Sequence, residues 1–432
     1  VKKLLLVFLL FALPARMPAA GDRQTPRRLN LKQAQELAVK QHPKISVANL
    51  LALAAHQATR QAQSLLLPHV SADATAVDNT DPNNTRITAG ELNNPLIYAR
   101  EAEGVTITQL ITDFGKTWDL SKSVKLREQS ERMNVEATRV QILLAVNKAY
   151  FSSLESQSLL KVAQETMTNR QLVLDQTSML ATNKMKSELD VSFARVDYNQ
   201  AGILLAKARN DLQASFAVLS AVLGEARPQT FELAEEPMPA YVTNNDSALI
   251  LEALQRRPDL AQLRYQRDAA KEFAQAQGKL NYPSLDAVGT AGITPVGNSH
   301  LGFDYAAAGV NLNLPLYTGG LNAAQRREAE LRARAANEAL RDEEDTIARD
   351  VQVTSLDLDY AHQRLDLTEE LLRNANEALV LARAKFKIGT SSIIELSQAE
   401  LNQTSAQIAE ANARYDYQIR HSALDFELGR LR

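Results

Sequence analysis

The chain has no cysteine. That excludes disulfides, thiolate metal sites and lipid attachment to an N-terminal cysteine. Aromatic residues are only 5% of its 432 positions, with a single tryptophan. A core with a large aromatic centre is therefore not expected, and the composition favours long helices packed along seams. Glycine and proline are few, 16 and 14, and neither occurs between Lys116 and Thr182. An excess of positive charge is also missing. The net charge is −3, so nothing points to nucleic acid as a partner. Charged residues at 23% are too few for a disordered chain. The apolar run at residues 4–13 falls short of the about 20 residues a spanning helix needs. It follows Lys2 and Lys3 and leads into small residues ending at Ala20. Residues 1–20 are therefore expected to be a secretory signal peptide, which sends the mature protein out of the cytoplasm.

What the chain does have is an internal repeat. Residues 187–224 lie over 392–429, pairing Ser187 with Ser392, Ser192 with Ser397, Ala194 with Ala399, Arg209 with Arg414, Asp211 with Asp416 and Gly224 with Gly429. The same offset carries Gly104-Val105 onto Gly309-Val310 and Gly115 onto Gly320. Further upstream Pro43 falls on Pro258 and Pro68 on Pro283, so the first copy holds ten extra residues between Pro68 and Gly104. A repeat of this kind sets the architecture before any single element is assigned. The expected organisation is a first repeat over 21–224, a proline-marked linker over 225–247 and a second repeat over 248–432. Each repeat reads helix–strand–strand–long helix–helix. The first has a β-hairpin at about 69–112 and a long helical hairpin at about 116–223. In the second they lie at about 284–317 and 321–428.

Local signals place the elements. Asn30 with Gln33 marks a helix start. The helix runs to about Leu66 with a break near His42, because Pro43 removes a hydrogen bond and clashes with the preceding turn. From Val70 the period becomes 2, with Val70, Ala72, Ala74 and Ala76 alternating with Ser71, Asp73 and Thr75. Residues 78–100 are a polar loop, and alternation resumes at Val105. In the second copy a helix is expected over about 248–280, a strand over 284–293, a short loop at 297–302 and a strand near 309–317. Along that last strand Val310, Leu312, Leu314 and Leu316 share one face, while Asn311, Asn313 and Tyr317 share the other. One apolar and one amide-lined face suit a transmembrane barrel strand, with lipid outside and water inside, and also suit a half-buried soluble strand. Four such strands cannot close a barrel, since about eight is the minimum, and a membrane tolerates no open sheet edge. Several chains would have to share one barrel.

The long helices carry heptads. Val351, Leu358, Leu365, Leu372, Leu379 and Phe386 step by seven, and Val146, Ser153, Leu160, Met167, Leu174 and Ala181 occupy the same places in the first copy. Steps of seven keep a seam facing a partner helix. Between the second pair of helices, Gly389 stops one helix and Ser392 starts the next, with Glu395 three residues on as a capping box. The result is a helical hairpin with a tight tip.

Little in the sequence points to catalysis. Gly115-Lys116-Thr117 resembles the end of a phosphate-binding loop, but Leu110 stands where that loop needs glycine. His42, His56, His69, His300, His362 and His421 show no metal-ligand spacing. No serine sits in a Gly-x-Ser-x-Gly elbow. No enzyme activity, cofactor or metal is expected.

These features together resemble the TolC-type outer-membrane efflux proteins. The shared set is the signal peptide, the two tandem copies and the Gly-Thr-x-Ser/Thr-x-x-Glu/Asp tip at 389–395, and it covers about residues 25–432. The resemblance implies a mainly α fold with a small transmembrane β part. It implies a homotrimer with a shared 12-stranded β-barrel in outer-membrane lipid and a periplasmic α-helical coiled-coil tunnel. It implies a channel serving an efflux or type I secretion system, with a periplasmic adaptor protein and an inner-membrane transporter docking at the far end of the tunnel. Asp190 and Glu395 match the family's acidic gate positions. Gln398 stands where a second acid often sits, and Phe386 where a tyrosine helps lock the closed state. Lys184, Ser187, Gly389 and Ser392 form the tips that would meet the adaptor, with Lys184 opposite Gly389. The loops at 78–100 and 297–302 would face the cell exterior. Two other readings stay open: a periplasmic adaptor, which also carries a helical hairpin, and a structural coiled-coil protein of the envelope.

Overall fold

A computed structural model describes residues 27–77, 100–241, 246–296 and 302–431. The signal-peptide segment and most of both strand-joining loops lie outside the described residues. In chain order the elements are β1 (Arg27–Leu29), α1 (Leu31–Gln41), α2 (Pro43–Ser64), β2 (His69–Val77), β3 (Arg100–Thr112), α3 (Lys116–Thr182) and α4 (Glu188–Val222). Then come β4 (Phe231–Leu233), α5 (Asp246–Arg256), α6 (Pro258–Gly278), β5 (Ser284–Val296), β6 (Asp304–Asn313), α7 (Leu321–Lys387) and α8 (Ile393–Glu427). Helices α3 and α7 each have 67 residues. At 1.5 Å per residue each is about 100 Å long. The return helices α4 and α8 each have 35 residues.

The repeat is visible in the helix ends. Asn30 caps α1 in a box with Gln33. His42, in extended conformation before Pro43, separates α1 from α2. Arg257 before Pro258 does the same between α5 and α6. A single helix over about 248–280 was the expectation, and the proline divides it, because the residue before a proline is pushed out of helical geometry. These breaks receive the ends of the return helices. A Cβ on Gly224 would lie 3.2 Å from the Gln41 carbonyl oxygen, and one on Gly429 would lie 3.0 Å from the Arg256 carbonyl carbon. Both glycines have positive φ, so they close their helices and admit the neighbouring break at once.

Helix α3 packs along α2, α4, α6 and α8, and α7 along α5, α6 and α8. On the expected seams Val146, Ser153, Val351, Leu358 and Leu379 are buried, and Leu365 and Phe386 pack at the edges of apolar clusters. The core is accordingly distributed. One cluster joins Ile142 and Val146 to Tyr150, Leu219 and Leu223, another gathers Leu260, Ile347, Val351 and Leu428, and a third holds Leu379, Ile393 and Leu396. No helix among the described residues is long and apolar enough to cross a membrane.

The 225–247 linker is more than a connection. Its β4 pairs in parallel with β1, and the helices pin it. The Tyr150 hydroxyl donates to the Ala234 carbonyl at 2.7 Å, Tyr417 to the Pro239 carbonyl at 3.3 Å, and Gln157 to the Phe231 carbonyl at 3.2 Å. Tyr150 is on α3 and Tyr417 on α8, so this strap ties the two repeats together.

The remaining four strands form one antiparallel sheet in the order β2-β3-β5-β6, with the two repeats joined at β3–β5. The last strand differs from expectation. It spans Asp304–Asn313, starting before residue 309 and ending before Leu314. Pro315 cannot donate to a ladder, so Leu314, Leu316 and Tyr317 leave the sheet toward α7.

Candidate functional site

Register assigns each strand residue to a face. Val70, Ala72, Val105, Ile107, Leu285, Ala287, Val310 and Leu312 share one side, and Ser71, Asp73, Thr106, Thr290, Tyr305, Asn311 and Asn313 the other. The apolar side is uncovered. Val70, Val105, Ile107, Val310 and Leu312 are all exposed. Exposed apolar surface on this scale marks a partner or a membrane. Glu103 interrupts it beside Ile293, at the end away from the helices. Exposed aromatic residues flank the sheet. Phe114, Trp118, Tyr282 and Tyr317 lie at the helix end and Phe303 at the other, with Phe114 and Tyr282 packed edge to face at 5.9 Å. Strands of about 10 residues tilted by roughly 40° span the about 25 Å apolar band of an outer-membrane barrel, which aromatic girdles bound on both sides.

At the opposite end stand the hairpin tips. Both long helices finish in the same motif. In the second, Gly389 has φ 80°; its N–H donates to the Phe386 carbonyl at 3.1 Å, and the Thr390 N–H donates to the Lys385 carbonyl at 2.9 Å. In the first, Lys184 has φ 56°; its N–H donates to the Ala181 carbonyl at 2.9 Å, and the Met185 N–H donates to the Leu180 carbonyl at 2.9 Å. A lysine thus holds a left-handed backbone that suits glycine. The return helices then start at serines. The Ser187 hydroxyl accepts from the Asp190 N–H at 3.1 Å, and the Asp190 carboxylate accepts from the Ser187 N–H at 3.0 Å. That backbone hydrogen bond holds the Asp190 carboxyl below the usual carboxylate range.

The second tip departs from the expected box. The Ser392 hydroxyl accepts from the Glu395 N–H at 3.2 Å, but the Glu395 carboxylate takes its hydrogen bond from the Ser391 hydroxyl instead. A hydroxyl donor to a carboxylate also makes a charge-assisted bond, and the longer glutamate side chain reaches it. Gln398 turns to Asn402, 2.9 Å away on the next turn of α8, and not to the carboxylates. Phe386 lies beneath Lys186, whose ammonium sits 4.6 Å from the ring centroid. The contact joins the two tips, and nothing in the sequence pattern singled out Lys186.

Sequence reasoning also missed a buried charged cluster further up the hairpins. Arg170 on α3 pairs with Glu400 on α8 and reaches Asp197 on α4 at 3.4 Å. Arg383 on α7 reaches Glu400 at 3.3 Å, and the Ser397 hydroxyl donates to Asp197. One turn above, the Thr166 and Thr404 hydroxyls meet at 3.4 Å. All four hairpin helices thus contribute to a cluster of two cations and two anions. No periodic signal connects such distant positions.

The sequence profile described as "Outer membrane efflux protein" matches residues 34–225 and 249–430. Among curated relatives, outer membrane protein TolC of Escherichia coli (strain K12) is 24% identical over 420 residues, covering 93% of this chain and 82% of that protein. TolC of Vibrio cholerae is 27% identical over 375 residues, covering 84% and 82%. The antibiotic efflux pump outer membrane protein ArpC of Pseudomonas putida is 24% identical over 372 residues, covering 85% and 75%. Among solved structures, the outer membrane protein VceC of Vibrio cholerae superposes with a TM-score of 0.78 at 19% identity, covering 92% of this chain and 96% of that one.

Proposed function

The chain belongs to the outer membrane efflux protein family, and from that premise we propose that it is the exit duct of a tripartite efflux or type I secretion machine. Its relatives are outer-membrane proteins, and one is named as part of an antibiotic efflux pump. The protein resides in the outer membrane, with the sheet in lipid and the helices in the periplasm. One observation carries the reading: a sheet with an uncovered apolar face sits at one end of two helices about 100 Å long, and both its edge strands are unpaired among the described residues. A membrane requires those edges to be closed. Pairing β2 of one copy with β6 of the next would close them, and three copies of four strands give a 12-stranded barrel. The helices of the three copies would then enclose a tunnel. At its far end Asp190 and Glu395 would form rings of carboxylates, with Phe386 and Gln398 beside them as the periplasmic gate. Lys184, Ser187, Gly389 and Ser392 would face a periplasmic adaptor, beneath which an inner-membrane transporter supplies the cargo.

Mass measurement of the detergent-extracted outer-membrane protein tests the assembly. The expected result is a complex of three copies, each lighter than the 47.6 kDa of the full sequence by the removed signal peptide. A stable single chain extracted from the membrane would overturn it.

A further inference from the structure

On the polar face of the sheet, Asp73, Gly104, Gly292 and Tyr305 form one cross-strand row. The Tyr305 side chain lies along that row. A Cβ on Gly104 or on Gly292 would collide with its hydroxyl, and the ring carbon bearing that hydroxyl would be 3.1 Å from the first and 2.6 Å from the second. Two adjacent positions without side chains therefore make room for the phenol, and one face of the ring is laid against them. The residue still keeps 37% of its surface exposed, on the side turned away from the strands. Neighbouring strands are about 4.8 Å apart. The hydroxyl rests over Gly104, so it comes within about one strand spacing of Asp73, which lies directly opposite Gly104. The Asp73 carboxylate is exposed and accepts a hydrogen bond from the Ser71 hydroxyl at 3.2 Å. In the first repeat the position equivalent to Tyr305 is Arg100, so the aromatic wall is not repeated at that position.

A flat aromatic face beside a carboxylate has the chemistry to recognise an organic cation. The ring quadrupole attracts the positive charge, and the carboxylate neutralises it. We infer that Tyr305 and Asp73 form a weak luminal subsite for planar organic cations near the outer mouth of the barrel. The inference rests on the duct reading, because the polar face is luminal only in a closed barrel. Weak binding fits a duct, since conduction requires that a bound solute also leaves. A purely structural role, in which the phenol fills the notch above two glycines, would change stability but not solute binding.

The test uses the full-length trimer in planar bilayers, with N-methylacridinium added on the side of the strand-joining loops as a blocker of potassium current. Wild type should show concentration-dependent block. Tyr305→Leu should raise the half-blocking concentration about three-fold, the scale of an exposed cation–π contact, and Asp73→Asn should raise it too. Tyr305→Phe should block like wild type, and Tyr305→Trp should block more tightly. The Trp variant decides the question if the Leu variant does not insert. Equal block in wild type, Leu and Trp variants, or no block in wild type, would overturn the subsite. Failure to form any channel would instead count against the duct reading.

Discussion

Arg170 and Glu400 form a buried ion pair across 230 positions of sequence, tying the first long helix to the second return helix. Their side chains are only 8% and 4% exposed. Removing one partner of such a pair leaves a charge buried without compensation, which typically costs about 3–5 kcal/mol. Arg170→Met is therefore expected to lower the melting temperature of the detergent-solubilised protein by that free-energy equivalent. Asp197 and Ser397 would keep each other, and Arg383 alone would be left for Glu400. A loss below about 1 kcal/mol would show that Arg383 is a sufficient counter-ion.

Lys184 and Gly389 occupy the same place in the two tips with φ of 56° and 80°. A left-handed conformation costs a non-glycine residue about 1–2 kcal/mol. Lys184→Gly should relieve that strain, and Gly389→Ala should introduce it. The expected readout is slower amide hydrogen exchange at the first tip in the former and faster exchange at the second tip in the latter. The reverse order of rates would refute the assignment.

Glu155 has its carboxyl pushed up by burial and then by the nearby Asp416, with Arg364 opposing. A carboxyl whose folded pKa is raised binds its proton more readily in the folded state, so its ionisation at neutral pH destabilises the fold. Glu155→Gln is expected to stabilise the protein at pH of about 7. The gain should shrink as pH falls through the raised pKa toward the unfolded value of about 4.3. A gain that is independent of pH would exclude this cause.

Asp190 and Glu395 are proposed as rings of charge as well as helix-start residues. Asparagine at both positions keeps a hydrogen-bonding side chain near each helix start and removes the charge. In planar-bilayer recordings the Asp190→Asn/Glu395→Asn variant should lose cation preference and block by multivalent cations. Wild-type selectivity in that variant would leave both residues as caps alone.

Much of this protein is legible in its sequence because its signals are local. A proline-free and glycine-free stretch gave the span of α3, Pro43 the break before α2, Gly389 and Ser392 the turn between α7 and α8. The same locality explains two boundary errors. The alternation from Val310 runs through Leu316 in the sequence, although the strand ends at Asn313 and Pro315 has no N–H to donate to a ladder. The helix expected over about 248–280 breaks at Pro258, the repeat equivalent of Pro43, and both prolines start a new helix after an extended residue.

What only the tertiary structure decided are the contacts between distant positions. The β1–β4 pairing, the tyrosine hydroxyls that hold the strap, the Arg170–Glu400 pair and Lys186 over Phe386 all join residues that share no periodic pattern. Helix periodicity tells which face of a helix is apolar, but not which helix meets it or at what height. That choice is made when long helices settle against one another, and a slide of one turn, about 5.4 Å, would give every polar side chain at the interface a different partner.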